Sequence, residues 1–319
     1  MKPLWEAVHF HATDPGLDWE KEFHISIEEE SPKGVCHAIT PNVIHLPDGR
    51  FRMYYSALIY GDRAFENSTA VIKSAISDDA SHWKVEPGNR LEPFGPDATL
   101  RVLCPDVIPH PDGGYRMYFE ASCLNQPSRV LSARSANGID WTSEPGIRIG
   151  DETYAYGSPR GVYLKPSHGD EASVPQTRLY FHRAPYAKEA DQTRQILSGI
   201  SDNGIDFAFE PGARISQEGE RESLSVYAPE VIRLGTGGYR MYYSGWCTEP
   251  IHGRILSATS TDGLQWKKDE RICLDYGGPW QEVKVSEPCV IDLPNGSARL
   301  YYEANETGGR WRVLGAVKS

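Results

Sequence analysis

The stretch of sequence that decides the fold begins with Ala228-Pro229-Glu230-Val231-Ile232 and continues through Tyr239-Arg240-Met241-Tyr242-Tyr243 to Ile255-Leu256-Ser257-Ala258. The chain repeats this order of segments about every 60 residues. The five segments that open on a proline are Thr40-Pro41-Asn42-Val43-Ile44, Cys104-Pro105-Asp106-Val107-Ile108, Ser158-Pro159-Arg160-Gly161-Val162, Ala228-Pro229-Glu230-Val231-Ile232 and Glu287-Pro288-Cys289-Val290-Ile291. A fixed period of this size is typical of repeat architectures, in which each copy forms one small structural unit.

Each copy has the pattern of four short β-strands. The second segment is rich in aromatic residues and follows the first after a short turn such as Pro111-Asp112-Gly113, which predicts an antiparallel hairpin. The third segment is followed by an Asn-Gly or Asp-Gly turn that ends in an aromatic residue, as in Ser260 to Trp266. Because no segment has a convincing helical pattern, we predict an all-β chain in which each repeat is one four-stranded blade of a β-propeller.

The N-terminus completes the last repeat. The fifth copy ends after its third strand, whereas Asp14 to Ile25 matches the end of the fourth copy at residues 261–272. We therefore predict a single five-bladed β-propeller domain over residues 1–319, with blades that start near residues 36, 102, 156, 226 and 285. An outer strand from about residues 14–25 would join the C-terminal blade, close the ring and cover two sheet edges.

Composition limits the class of partner. The formal net charge is −11 without a long acidic run, which argues against nucleic acid as a partner. The first residues lack the apolar core of a signal peptide, and no apolar run is long enough to span a membrane, so we expect a cytoplasmic protein with no membrane partner. The six cysteines show no Cys-x-x-Cys spacing, and no zinc or phosphate-binding motif occurs, so we expect buried thiols, no metal and no cofactor.

The residues beside the five prolines are the first candidates for a site. The first strand of each blade lines the central channel of a propeller, and alternation along a strand would point the residues before and after each proline into one pocket. Asp106, Glu230 and Glu287 would bring three carboxylates to this ring, and Arg160 would bring a guanidinium. Converging ionisable groups in a concave site indicate function, although Arg160 could also pair with a carboxylate only to close the channel.

A second set lies at matched positions near the ends of the second strands: Ser56, Glu120, His182, Ser244 and Glu303. His182 is the best candidate proton carrier because an imidazole titrates near neutral pH, although a buried histidine bonded within its own blade is the alternative. Tyr227 lies in a segment leading into a first strand, where an aromatic ring can stack on a sugar or pack within a blade.

The five repeats, the first strands with a proline-flanked acid and the second strands of the Tyr-Arg-Met-Tyr-Tyr type resemble the five-bladed propeller glycoside hydrolases of families 32, 43, 68, 117 and 130. The usual catalytic Asp of the first blade is not preserved, since Thr40-Pro41-Asn42 takes its place, and Ser158-Pro159-Arg160 replaces a third-blade Asp-Pro. Cys104-Pro105-Asp106-Val107 is similar to the second-blade motif of family 43, and Glu230 lies near the place expected for the general acid.

This resemblance implies an enzyme of carbohydrate metabolism, a glycosidase or glycoside phosphorylase-like protein that acts on a small glycan or glycoside by carboxylate acid/base chemistry. We expect Glu230 as the acid, Asp106 or Glu287 as the base and His182 as a further proton carrier. The expected substrate-binding residues are Arg160, Asn42, Thr40, Glu120, Tyr227 and Glu303. The alternatives are a non-hydrolytic cyclase or lyase acting on a small metabolite and a non-catalytic ligand-binding propeller, because a fold alone does not determine function.

Overall fold

The structure, a computed structural model, describes residues 8–30, 36–59, 68–165, 175–248 and 251–318. These residues form β-strands and one 3-10 turn at Glu220–Glu222, and none of them lies in an α-helix. The prediction of an all-β chain is confirmed. None of the described residues belongs to a helix long and apolar enough to cross a membrane.

The strands form successive antiparallel meanders, which we call units 1 to 5. Unit 1 contains β3 (Cys36–His45), β4 (Phe51–Ile59), β5 (Thr69–Ser77) and β6 (Lys84–Val85), and unit 2 contains β7 (Arg101–Pro109), β8 (Tyr115–Ser122), β9 (Arg129–Ser135) and β10 (Thr142–Ser143). Unit 3 contains β11 (Tyr154–Tyr163), β12 (Thr177–Pro185), β13 (Gln195–Ser201), β14 (Ala208–Phe209) and β15 (Ile215–Ser216). Unit 4 contains β16 (Ser225–Leu234), β17 (Tyr239–Thr248), β18 (Ile251–Ser260) and β19 (Lys267–Lys268), and unit 5 contains β20 (Lys284–Asp292), β21 (Ala298–Asn305) and β22 (Trp311–Lys318).

The N-terminal segment joins the last two units. Strand β2 (Glu20–Ile27) pairs antiparallel with β22 of unit 5, from Glu20 opposite Val317 to Ile27 opposite Val313. Strand β1 (Phe10–His11) pairs in parallel with the end of β16 in unit 4. The apolar core lies largely between neighbouring units; one cluster combines Ile27 of β2 and Met53 of unit 1 with Tyr301 of unit 5.

A tyrosine contact recurs between consecutive units. A buried tyrosine on each second strand donates its hydroxyl to a turn carbonyl of the following unit or of the N-terminal segment. The pairs are Tyr54 with Gly138 (2.8 Å), Tyr118 with Gly204 (2.9 Å), Tyr180 with Gly263 (2.9 Å), Tyr242 with Gly16 (2.8 Å) and Tyr301 with Ala80. Unit 4 is therefore bonded to the N-terminal segment, and unit 5 is bonded to unit 1.

Every first strand is irregular at its proline. The residue before the proline has a positive φ in all five units: Thr40 (55°), Cys104 (51°), Ser158 (44°), Ala228 (51°) and Glu287 (51°). The pairing register with the second strand shifts at the same place. Such a bulge changes the direction of neighbouring side chains, so the simple alternation expected from the sequence does not hold there. The residues after the prolines and four of the five residues before them instead enter two adjacent layers of hydrogen bonds.

The six cysteines are all buried, as expected for thiols that pack in the core.

Candidate active site

The residues after the prolines form one layer, which we call the inner ring: Asn42, Asp106, Arg160, Glu230 and Cys289. Each bonds to the backbone of the following unit, with Val107 N donating to Asn42 Oδ1 (3.0 Å), Gly161 N to Asp106 Oδ2 (2.6 Å), Val290 N to Glu230 Oε1 (2.9 Å), Val43 N to Cys289 Sγ (3.2 Å) and Arg160 Nε to Pro229 O (3.4 Å). None of the five is more than 4% exposed. The inner ring therefore links each unit to the next and unit 5 to unit 1.

Two carboxylates and one cation of this ring lie together with a second cation from outside it. Arg160 contacts Asp106 Oδ1 through Nη1 at 3.2 Å and Glu230 Oε2 through Nε at 2.7 Å. His9, from the segment before β1, contacts the same two carboxylates, with Nε2 3.4 Å from Asp106 Oδ1 and Nδ1 3.5 Å from Glu230 Oε1. The four formal charges sum to zero when His9 is protonated.

The surroundings hold all of these groups in their charged forms. Burial acts to raise the pKa of the Asp106 and Glu230 carboxyls, but the close contacts with His9 and Arg160 outweigh it, so both pKa values lie below the ordinary range. Burial acts to lower the pKa of His9, but the two carboxylates raise it to about 9. Sequence reasoning missed His9 because it precedes the first repeat and has no counterpart in the other units.

A second layer, which we call the mouth layer, precedes the inner ring along the first strands. It joins four of the residues before the prolines to matched positions on the second strands. The backbone N–H of Cys104 donates to Ser56 Oγ (3.0 Å), that of Ser158 to Glu120 Oε2 (3.3 Å), that of Glu287 to Ser244 Oγ (2.9 Å) and that of Thr40 to Glu303 Oε2 (3.2 Å).

His182 occupies the fifth matched position of the mouth layer. Its buried Nδ1 has no hydrogen-bond partner among the described residues. Burial lowers its pKa to about 4, with the charge of Arg194 acting in the same direction, so the ring is neutral at pH 7. It flanks Gly157 together with Glu120, where a Cβ atom would lie 1.8 Å from Glu120 Oε2 and 2.8 Å from His182 Cε1. The glycine therefore allows both side chains to approach the backbone of β11.

Three glutamates meet in the mouth layer. Ser158 connects Glu287 and Glu120, since its Oγ donates to Glu287 Oε1 at 2.9 Å and its N–H donates to Glu120. Glu303 accepts from Ser286 Oγ at 2.6 Å. Burial, with the charge of Glu303 as the next cause, raises the pKa of Glu287 to about 8, and burial also raises the pKa values of Glu303 and Glu120. Burial and the charge of Glu303 therefore both favour the protonated form of Glu287.

An aromatic cluster holds a lysine beside these glutamates. Lys284 Nζ lies 3.5 Å from the ring centroid of Trp246, 4.4 Å from that of Trp311 and 5.4 Å from that of Tyr227. The Tyr227 ring also packs edge-on against His182, with centroids 6.1 Å apart. Burial lowers the pKa of Lys284 to about 8. Lys284 lies on the same strand as Glu287 and three residues before it, but no repeat or motif in the sequence marks it as a functional residue.

The sequence-predicted residues thus fall into two groups. Asn42, Asp106, Arg160 and Glu230 lie in the inner ring. Thr40, Glu120, His182, Glu287 and Glu303 lie in the mouth layer, and Tyr227 packs against His182. A separate cavity of about 400 Å³ lies beyond the inner ring, at the ends of the first strands, and is lined by His9, His11 and apolar residues such as Val43 and Val107. Among the described residues, no group of three or more His, Cys, Asp and Glu side chains is arranged to hold a metal ion.

Comparison with solved structures relates this architecture to carbohydrate-active proteins. A glycosyl hydrolase from Bacteroides ovatus superposes with a TM-score of 0.74 at 15% identity, over 94% of this protein and 93% of that one. The β-1,2-mannobiose phosphorylase of Listeria innocua in complex with β-1,2-mannobiose gives 0.71 at 14% identity (94% and 96% coverage), and a thermostable family-43 glycoside hydrolase gives 0.69 at 15% identity (91% and 92%). At these identities the likeness shows the fold, which is that of the β-propeller glycosidases.

Comparison of sequences gives nearer relatives. No family model matches the chain. The uncharacterized protein Rv1502 of Mycobacterium tuberculosis (strain ATCC 25618 / H37Rv) is 27% identical over 223 residues, 63% of this chain and 72% of that protein. The uncharacterized protein MT1551 of Mycobacterium tuberculosis (strain CDC 1551 / Oshkosh) is 33% identical over 224 residues, again 63% and 72% of the two chains. The chain therefore belongs to the same family as MT1551.

Proposed function

We propose that this protein is a carbohydrate-active enzyme, a glycosidase or glycoside phosphorylase, that cleaves a small glycan or glycoside at the mouth layer. The observation that carries the proposal is Glu287, a buried carboxyl with a pKa of about 8 beside two further carboxyls. Glycosidic bond cleavage needs one carboxylic acid to protonate the leaving oxygen and a second carboxylate to act as base or nucleophile. A fold shared with glycoside hydrolases and a mannobiose phosphorylase agrees with this chemistry.

We assign the proton-donor role to Glu287. A general acid must hold its proton at the working pH, and both burial and the neighbouring Glu303 favour the protonated form of Glu287. Glu303 and Glu120 are the candidate partners. Glu303 accepts hydrogen bonds from Ser286 Oγ and Thr40 N, which favour its ionised form and suit a base or nucleophile.

Asp106 and Glu230, the pair expected from the sequence, have a different environment. Arg160 and His9 neutralise both carboxylates, and each carboxylate accepts a backbone N–H of the next unit. A lowered pKa favours the ionised form of Glu230 and does not suit a proton donor. In this proposal Asp106 and Glu230 stabilise the inner ring, which lies next to the mouth layer, and Arg160 joins them to each other.

We also propose that the five units form one closed five-bladed propeller. Support comes from the pairing of β2 with β22 and from the tyrosine contacts that link unit 4 to Gly16 and unit 5 to Ala80. Closure matters for function because the mouth layer draws residues from every unit: Thr40, Glu120, His182, Ser244 and Glu303.

A screen for turnover tests this proposal. Wild-type protein would be incubated with aryl glycosides and small glycans of differing sugar and linkage, with and without inorganic phosphate. We expect product from at least one of them, and a large loss of rate in Glu287→Gln, whereas the exposed Glu270→Gln should match the wild type. Absence of turnover across the panel would overturn the enzymatic proposal, and saturable binding without product would favour a ligand-binding propeller. Turnover that survives Glu287→Gln would show that another group is the acid.

A further inference from the structure

The proposed chemistry needs the two glutamates of unit 5 to differ in protonation, although both are buried. Glu287 lies on β20 and Glu303 on β21, and they are 6% and 5% exposed. Two buried carboxyls that repel each other hold one proton between them near neutral pH, and the surroundings decide which of them carries it.

Hydrogen bonding gives the first difference. Glu303 accepts from Ser286 Oγ at 2.6 Å and from Thr40 N at 3.2 Å. Glu287 accepts from one described donor, Ser158 Oγ, at 2.9 Å. Because donors stabilise the charged form of a carboxyl, the second bond favours ionisation of Glu303.

The position of Lys284 gives the second difference. Its ammonium lies among the rings of Trp246, Trp311 and Tyr227, with Nζ 3.5 Å from the Trp246 centroid. A cation over aromatic faces is held by the ring quadrupoles, so the charge has a fixed place although it is buried. Gly253 makes this packing possible, since a Cβ there would lie 2.3 Å from Lys284 Cγ and 2.4 Å from Trp246 Nε1.

Lys284 acts more strongly on Glu303 than on Glu287. Lys284 and Ser286 lie two residues apart on β20 and so on one face, and Ser286 lies opposite Glu303 on β21. The ammonium acts electrostatically on both carboxyls, with Glu303 the stronger partner, and acts to lower the pKa of Glu303, whereas the cation with the stronger effect on Glu287 is Arg160 of the inner ring. The remaining titratable groups that face the pair are Glu120 from β8, Cys104 from β7 and Tyr227 from β16, which are neutral or negative.

We propose that Lys284 is a positioning residue whose caged ammonium keeps Glu303 ionised and so leaves the shared proton on Glu287. The inference rests on the proposed function for its catalytic meaning, but the distribution of the proton is a property of the protein without substrate. Because burial lowers the pKa of Lys284 to about 8, we expect the arrangement to operate at neutral pH and to fail in alkaline solution.

The test is a titration of the carboxyl ¹³C signals of glutamate-labelled protein without substrate, with the signals of the pair assigned from Glu287→Gln and Glu303→Gln. In the wild type at pH 7 we expect Glu303 ionised and Glu287 protonated. In Lys284→Met the pKa of the Glu303 carboxyl should rise by about one unit or more, because an opposite charge at close range has been removed. Lys284→Arg should restore it, and Lys73→Met, which removes a lysine from the distant Glu29, should leave the pair unchanged.

Two results would overturn the inference: a wild-type pair in which Glu303 holds the proton, or a Lys284→Met pair that titrates as in the wild type. Lys284→Gln provides a second neutral variant if Lys284→Met does not fold. For any glycoside that the wild type cleaves, Lys284→Met should also shift both limbs of the pH–rate profile to higher pH. Simple loss of packing would not produce this shift. Failure to find any turnover would remove the proposed function and leave the titration result standing.

Discussion

Replacement of His9 by glutamine tests whether the inner ring is held together by charge. The His9 side chain is 8% exposed and contacts both Asp106 and Glu230. Its pKa of about 9, against an ordinary 6.5, corresponds to roughly 3 kcal/mol of extra stability for the protonated form, because one pKa unit is worth about 1.4 kcal/mol. The folded-state pKa is raised, so this contribution is complete below about pH 6.5 and is lost as the pH rises through about 9.

The assay is urea unfolding of the wild type and His9→Gln at pH 6 and at pH 9.5. The free energy of unfolding should be lower in the variant by roughly 3 kcal/mol at pH 6 and by less than about 0.5 kcal/mol at pH 9.5. His82→Gln is the matched control, because His82 pairs with Asp79 at 2.7 Å but its side chain is 88% exposed, and an exposed pair contributes little. An equal loss of stability at both pH values, or no loss at pH 6, would refute the reasoning.

Further variants test the ring and the mouth layer. Arg160→Met should lower the free energy of unfolding by about 3–5 kcal/mol in urea titrations, because it leaves a buried pair of carboxylates short of one cation; a change below about 1 kcal/mol would contradict the charge balance. Gly157→Ala should lower the melting temperature and displace Glu120, whose Oε2 would lie 1.8 Å from the new Cβ, and an unchanged melting temperature would contradict this close approach. Tyr301→Phe should cost about 1–2 kcal/mol, as should Tyr54→Phe, because both remove the same contact between consecutive units. A loss for Tyr54→Phe alone would argue against contact between units 5 and 1.

The fold followed from the repeat because strands and turns are determined by local patterns. Proline at the start of a segment, aromatic residues in the next and a glycine turn after the third are short-range signals. The match of Asp14 to Ile25 with a later copy placed an N-terminal strand beside unit 5, where β2 pairs with β22.

The arrangement of the site could be predicted only in part. Asp106, Arg160 and Glu230 do meet, because equivalent positions of a repeat lie at equivalent places in successive units. Their separation from Glu287 into another layer depends on the positive φ before each proline, and nothing in residue composition indicates that conformation.

The two cations that complete the site were missed for separate reasons. His9 lies outside the repeat, and its contacts with Asp106 and Glu230 join parts of the sequence about 100 and 220 residues apart, which no local pattern encodes. Lys284 lies within the repeat, but charged residues are rarely buried without a partner, so a position inside an aromatic cluster was not expected for it.

The most direct test of the central claim is the dependence of rate on the leaving group. For any glycoside that the wild type cleaves, rates of wild type, Glu287→Gln and Glu230→Gln would be compared on an aryl glycoside with an activated leaving group and on one with a poor leaving group. If Glu287 is the general acid, Glu287→Gln should lose about 10²–10⁴-fold on the poor leaving group and far less on the activated one, which needs no protonation. Equal losses on both substrates, or this pattern in Glu230→Gln instead, would contradict the account.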